Sequence, residues 1–311
     1  MSAIEVTALV KRYRGARTNA LDGLSFSVED GQFFCLLGPN GAGKTTAVSI
    51  LTTTLVPTSG SVHIAGHDLA SQEPLVRRAL GVVFQSPSLD LNLTAEENLR
   101  LHAMLYGLYA WRPLRRLMPR AYRDQVEQLA GILGVAGVLE QRARKLSGGT
   151  RRKLEIVRAL MHRPRVLFLD EPAAGLDPES RRDLWSYLRG IRDREGTTLF
   201  LTTHHLEEAE DADAVCVLAQ GRAVELASPA DLKRRLGGSE LVLDAADRSA
   251  LGRELAALGL TVQGAGPLRV ALDGRSAQAV VRGLHTELTL LQIEEPSLEE
   301  TYIKLLAESR R

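Results

Sequence analysis

The run "FFCLLGPNGAGKTT" at 33–46 leaves few architectures open. Five residues of continuous apolar chain pass directly into a loop with glycine at 38, 41 and 43, and then into Lys44, Thr45 and Thr46 at the start of a helix-period segment. Unbroken apolarity suits a strand covered on both faces. A glycine-rich loop between such a strand and a helix lets backbone N–H groups converge at the helix N-terminus, where they hold anions. Gly38, Gly43, Lys44 and Thr45 fit G-x-x-x-x-G-K-[ST] in the strand-to-helix context that the pattern requires. In such a loop the amides cradle phosphates, the lysine reaches the β and γ groups, and the hydroxyl holds Mg²⁺.

Three further apolar runs, "GVVF" at 81–84, "RVLFLD" at 165–170 and "TTLFLTT" at 197–203, have the same texture. Together they predict an α/β core built on a sheet covered on both faces. Ligands bind such sheets at the carboxyl ends of the strands. The residues there are Gly38 with Lys44, then Gln85, then Asp170 with Glu171, then His204. Asp170 is placed for the Mg²⁺ coordination shell. Side chains of neighbouring residues diverge from an extended chain, so Glu171 is free to take the proton of an attacking water. His204 can donate to a γ-phosphate or orient that water, with His205 as the alternative. Gln85 alone says little, because a polar residue after a strand is usual.

A second anion signature stands far from the first. "KLSGGTRRK" at 145–153 sets Ser147, Gly148 and Gly149 at the start of a basic helix. It lies in a helix-rich segment, about 86–164, read as an insertion in the core. There Thr94 and Glu97 form an expected capping box. The same segment carries "WRPLRRLMPRAYR", with Arg112, Arg115, Arg116, Arg120 and Arg123 and no acidic residue. A solvated face is the plain reading; contact with lipid headgroups or an acidic partner loop is the sharper one. Gly237-Gly238 is the expected linker. Beyond it a βαββαβ order with an added terminal helix predicts a small α+β, ferredoxin-like domain over 239–311. Cys35 and Cys216 fall inside apolar strands, as packed thiols. With 39 basic and 38 acidic residues the chain has no global charge for nucleic acid. It also lacks a signal-peptide pattern and an apolar run of the ~18 residues that span a bilayer. The expected location is therefore cytoplasmic.

The ordered set resembles the ATP-binding subunits of ABC transporters over roughly residues 3–236. "GPNGAGKTT" looks like Walker A, Gln85 like the Q-loop glutamine, "LSGGT" like the signature, "VLFLDEP" like Walker B, "GLDP" at 175–178 like the D-loop, and His204 like the switch histidine. "LTTHHLEEAE", "GVVFQSPSLD" and "EPSLEETYIKLL" are similar to the daunorubicin-resistance type of exporter ATPase. Two departures stand out: the stretch around 109–120 is longer than usual, and Ala173 replaces a common threonine.

The resemblance implies a P-loop NTPase core of ABC type over 1–236 and an ATPase that powers export of a drug, antibiotic, lipid or polysaccharide. ATP and Mg²⁺ are the implied cofactors. Pro39, Asn40, Gly41, Ala42 and Thr46 join Gly38, Gly43, Lys44 and Thr45 around the nucleotide, and Tyr13 is the implied adenine-stacking ring, although on the residues alone an exposed tyrosine serves equally. Gln85, Glu171 and His204 are the implied catalytic set, with Thr45, Gln85 and Asp170 around the metal. Ser147, Gly148, Gly149 and Asp177 serve the ATP of a second, head-to-tail copy. Partners are that copy, expected as a homodimer, and a separately encoded membrane-spanning permease, with the chain peripheral on the inner membrane face and no nucleic acid. The rival is a soluble non-transport ATPase of the same class acting on nucleic acid or ribosomes; it typically shows a long coiled-coil insertion or tandem motif sets, and neither occurs here.

Overall fold

The computed structural model describes residues 2–308 except 87, 174–175, 237–239, 265, 273–274 and 295–296. The chain divides into two compact units, Met1–His205 with Ala212–Leu226, and Leu206–Asp211 with Ala227–Arg311. The first contains strands β1 (Ser2–Lys11), β2 (Leu21–Glu29), β3 (Phe33–Leu37), β4 (Ser59–Ile64), β5 (His67–Asp68), β6 (Leu80–Val83), β7 (Val166–Asp170), β8 (Thr198–Thr203), β9 (Ala214–Ala219) and β10 (Arg222–Ala227). They make two sheets, ordered β2-β1-β4-β5 and β10-β9-β3-β8-β7-β6.

The two sheets differ in burial because they differ in cover. In β2 the side chains alternate, with Leu24, Phe26 and Val28 inward and Ser25, Ser27 and Glu29 outward, the pattern of an antiparallel sheet with one wet face. In the second sheet β3, β7 and β8 are buried at every position, and the pairs β3/β8, β7/β8, β6/β7 and β3/β9 are all parallel. Parallel strands need crossovers, and these supply the helices that cover both faces. Phe26, Phe34 and Phe200 stack across the space between the sheets, with ring centroids 5.0–5.9 Å apart. Cys35 and Cys216 are buried free thiols in β3 and β9.

Helices α1 (Lys44–Leu51), α2 (Glu73–Ala79) and α6 (Pro178–Glu195) belong to the core; α3 (Ala95–Leu105), α4 (Arg120–Ile132) and α5 (Gly148–Leu160) form the inserted helical segment. The capping box at Thr94 is present: the Glu97 amide donates to Thr94 Oγ1 at 3.1 Å, and the Thr94 amide to Glu97 Oε2 at 2.8 Å.

The second unit holds α7 (Leu206–Ala209), α8 (Pro229–Leu236), β11 (Glu240–Ala245), α9 (Arg248–Ala257), β12 (Val262–Gln263), β13 (Leu268–Ala271), α10 (Ala277–Arg282), β14 (Leu288–Glu294) and α11 (Leu298–Glu308). Its antiparallel sheet is ordered β12-β13-β11-β14, the order a ferredoxin-like βαββαβ chain makes. Leu241, Leu243, Leu251, Leu255 and Val270 form its core. Residues 206–211 and 227–236, counted on sequence with the ATP-binding domain, group with this unit. The expected linker Gly237-Gly238 lies outside the described residues.

Candidate functional site

The loop 38–43 is shaped by what stands behind it. A Cβ at Gly38 would come within 2.5 Å of the Leu218 carbonyl oxygen; Gly43 has φ 108°, and its Cβ would meet the Ala20 carbonyl oxygen at 2.6 Å. Neither position admits a side chain. Lys44, the first residue of α1, is 8% exposed, and its Nζ donates to the carbonyls of Gly38 at 2.7 Å and Pro39 at 3.1 Å. Burial holds its pKa below the usual lysine range, and the carboxylates of Glu171 and Asp170 work against that. Asn40, Gly41, Thr45 and Thr46 line the same cavity, of about 210 Å³, which Gln85, Asp170 and Glu171 complete. Tyr13 comes alongside, its hydroxyl 3.2 Å from Thr46 Oγ1 and its ring 46% exposed.

Asp170 ends β7 and is buried, which raises its pKa; the Thr202 hydroxyl donates to Oδ1 and offsets part of that. Glu171 does not continue the strand. Its φ is 49°, and its amide donates to the Thr202 carbonyl at 3.0 Å, so a backbone turn, rather than extended-chain alternation, separates the two carboxylates. The turn aims the Glu171 carboxylate between two partners: Gln85 Nε2 donates to Oε2 at 2.9 Å, and His204 Nδ1 lies 2.7 Å from Oε1. His205 packs against His204, the ring centroids 4.0 Å apart and the planes tilted by 38°, without joining this group, and its amide donates to Thr203 Oγ1.

Ser147, Gly148 and Gly149 lie elsewhere. Ser147 caps α5, its Oγ accepting from the Thr150 amide at 3.1 Å. Ser147 and Gly148 are exposed, and none of the three lines the Lys44 cavity. The amides of a helix's first turn have no partner within the helix, so this end presents donors outward. Asp177 caps α6, with Oδ1 accepting from the Ser180 amide at 2.9 Å and Oδ2 from the Ser180 hydroxyl at 2.6 Å. Gly175 of the "GLDP" stretch falls outside the described residues.

Arg152 is the residue that motif reading misses. It sits on α5, 7% exposed, and its guanidinium donates to the carbonyls of Phe84, Asp170 (2.6 Å), Glu171 (3.0 Å) and Pro172 (3.1 Å), and pairs with Glu155 at 3.4 Å. Glu155 in turn accepts from the amide and hydroxyl of Ser88, and Arg158 donates to the Ser88 carbonyl at 2.8 Å. One face of the helix that Ser147 caps therefore holds the backbone on both sides of Gln85 and at Glu171. A signal was present: helical spacing puts Arg152 in line with Ile156 and Ala159, on the buried side of α5.

The model of the ABC transporter family matches residues 21–174. A daunorubicin/doxorubicin resistance ATP-binding protein of Streptomyces peucetius is 38% identical over 97% of this chain and 92% of that protein. A Nod factor export ATP-binding protein of Ralstonia nicotianae is 37% identical over 99% and 95%. Among solved structures, an ATP-binding subunit of an ABC transporter superposes with a TM-score of 0.67 at 30% identity, over 76% of this chain and 93% of that one. A bacterial Atm1-family ABC exporter with ATP bound gives 0.63 at 31%, over 75% and 40%. Likeness of this extent, over a chain that carries the phosphate loop and its facing carboxylates, shows that the protein belongs to the ABC transporter family as an ATP-binding, ATP-hydrolysing subunit.

Proposed function

We propose that this chain is the motor of an exporter, closing head to tail on a second copy when ATP binds and driving a separately encoded permease. The supporting observation is that one chain holds two half-sites apart: Lys44, Asp170 and Glu171 around one cavity, and the donor-bearing end of α5, exposed and outside it. The relatives' names, resistance in one and export in the other, support the direction of transport. The cargo class, a drug, antibiotic, lipid or polysaccharide, is then the permease's to select. Residues 1–236 are the ATP-binding domain and residues 239–311 an accessory domain. No helix among the described residues is long and apolar enough to cross a membrane. On this reading the chain is peripheral on the inner face of the cell membrane, with the permease as its membrane-spanning partner.

In this reading Lys44 exchanges the Gly38 and Pro39 carbonyls for the β and γ phosphates, and Tyr13 stacks on adenine. Glu171 takes the proton of the attacking water on a carboxylate oxygen; Gln85 and His204 orient it. The donor set suits Mg²⁺: the Thr45 hydroxyl, the buried Asp170 carboxylate and the Gln85 amide oxygen are hard oxygen ligands at one cavity. Bound there, the ion would neutralise phosphate charge. Ser147, Gly148, Gly149 and Asp177 act on the partner's nucleotide.

Glu171→Gln tests this. The amide cannot accept the water's proton, so turnover should fall by about 10²–10⁴-fold while ATP binding persists, and light scattering should show an ATP-held dimer. A variant that stays monomeric with ATP, or hydrolyses at the wild-type rate, would remove the dimer or the base from the proposal.

A further inference from the structure

From Asn98 to Arg123 the chain contains no acidic residue and six arginines, at 100, 112, 115, 116, 120 and 123. Between α3 and α4 this run forms a surface loop fixed from beneath. Met118 and Tyr122 are buried, Arg115 donates to Glu127 at 2.9 Å, and the Arg100 guanidinium lies 5.1 Å from the Trp111 ring centroid. What the loop presents outward is mixed. Trp111 is 50% exposed, Leu114 46% and Leu117 53%, and between them Arg112 and Arg116 are exposed with no acidic partner among the described residues.

We infer that residues 111–117 form a contact site for an anionic lipid surface. Water leaves Trp111, Leu114 and Leu117 unsatisfied, and a solvated basic face has no use for them. An acidic protein segment would pair with the arginines and leave the apolar residues exposed. A bilayer interface offers both phases at one depth: phosphates for Arg112 and Arg116, and the headgroup boundary for an indole and two leucines. The net charge of +1 makes this attraction local, since the rest of the surface contributes no excess positive field. The inference stands apart from the export reading.

The test uses the full chain and two sets of vesicles, phosphatidylcholine alone and an equal mixture with phosphatidylglycerol. Trp111 is a built-in reporter, because the other tryptophan, Trp185, is 8% exposed and stacked on Phe33. Mixed vesicles should co-float the protein and shift its emission to the blue, with binding weakened by salt; neutral vesicles should do neither. At about fivefold in partitioning per arginine removed, Arg112→Gln with Arg116→Gln should weaken binding roughly 30-fold. Trp111→Ala should also lower binding, and both variants should keep wild-type ATPase activity in solution, as surface changes in a folded protein. Absence of flotation on mixed vesicles overturns the inference, as does flotation that these variants leave unchanged. Tight binding of soluble polyglutamate without vesicle binding overturns it too, in favour of an acidic protein partner.

Discussion

Removing Arg152 examines how Glu171, the proposed base, is held without touching the nucleotide. In Arg152→Ala four carbonyls, those of Asp170 and Pro172 buried and those of Phe84 and Glu171 part-buried, lose a donor, and Glu155, 1% exposed, loses its paired cation and keeps only the more distant influence of Arg158. Hydrogen bonds to charged groups contribute about 1.5–3 kcal/mol each, and four would give roughly 6–12. That sum is too large, because the four share one desolvated guanidinium, whose burial already lowers its pKa, and water will enter the space left by truncation. The better bound is the cost of orphaning one member of a buried ion pair, about 3–5 kcal/mol. For a domain of this size that corresponds to a fall in Tm of roughly 6–20 °C. Displacing the Glu171 backbone by ~1 Å should also slow turnover by about 10²-fold, while affinity for a non-hydrolysable ATP analogue stays put, since Arg152 touches no residue of the loop 38–46. Urea unfolding, calorimetric titration and a steady-state ATPase assay read the three quantities. A variant unfolding within about 1 kcal/mol of wild type and hydrolysing at the normal rate would show that the carbonyls find other donors and that Arg152 does not position the base.

Lys44→Ala should abolish ATP binding in calorimetry, and Ser147→Arg should block closure while leaving its own loop able to bind; on the proposed reading, in which each serine serves its neighbour's nucleotide, purified mixed dimers of the two should recover hydrolysis above either parent. A Ser147→Arg homodimer with normal turnover would end that argument. Acid should destabilise the protein through His102. Burial, with help from His162 and Arg158, pushes its pKa from 6.5 down to about 3, so the unfolded chain binds more protons between those values. Stability is thus complete above pH 6.5 and lost as pH falls through the window, at about 1.4 kcal/mol per unit, or roughly 2 kcal/mol by pH 5. His102→Gln should flatten that limb in urea titrations at pH 7 and 5; an unchanged slope would refute the assignment.

The edge of the parallel sheet was legible because strand and loop chemistry coincide in sequence: each buried run ends, and the next residues are polar. The order of the C-terminal unit was legible for a similar reason, alternating short strands and helices around Leu241, Leu251, Leu255 and Val270. Three features were not. Glu171 has a positive φ that a glycine would have signalled and a glutamate does not. Helix α8 follows β10 after a single residue, Ser228, with no break in composition to mark a change of unit. Arg152 looks like one more basic residue in "TRRK", and only tertiary packing separates it from its neighbours Arg151 and Lys153, which are half-buried where Arg152 is buried.

The resting geometry also says what a nucleotide must change. Lys44 is engaged by the carbonyls of its own loop, and both oxygens of Glu171 are taken, one by Gln85 and one by His204. Lys44 is satisfied without substrate, so a nucleotide must displace its carbonyl bonds, whereas each oxygen of Glu171 keeps a further lone pair for water. Displacement at Lys44 is favourable, because carbonyl dipoles give way to phosphate charge. The Glu171 backbone, by contrast, is held by Arg152, which does not line the cavity. The connection runs instead through α5: Ser147 caps its first turn, and five residues on, about 7.5 Å along the axis, Arg152 holds the carbonyls of Asp170 and Glu171. On the proposed reading, a partner's phosphate seated at Ser147 acts on the same rigid helix that sets the Glu171 backbone. Occupancy of one nucleotide site and readiness of the base in the other then become linked, and the linkage is reciprocal. Arg152→Ala should cut it: mixed dimers carrying that change on the chain that supplies the base should close on ATP and yet fail to fire.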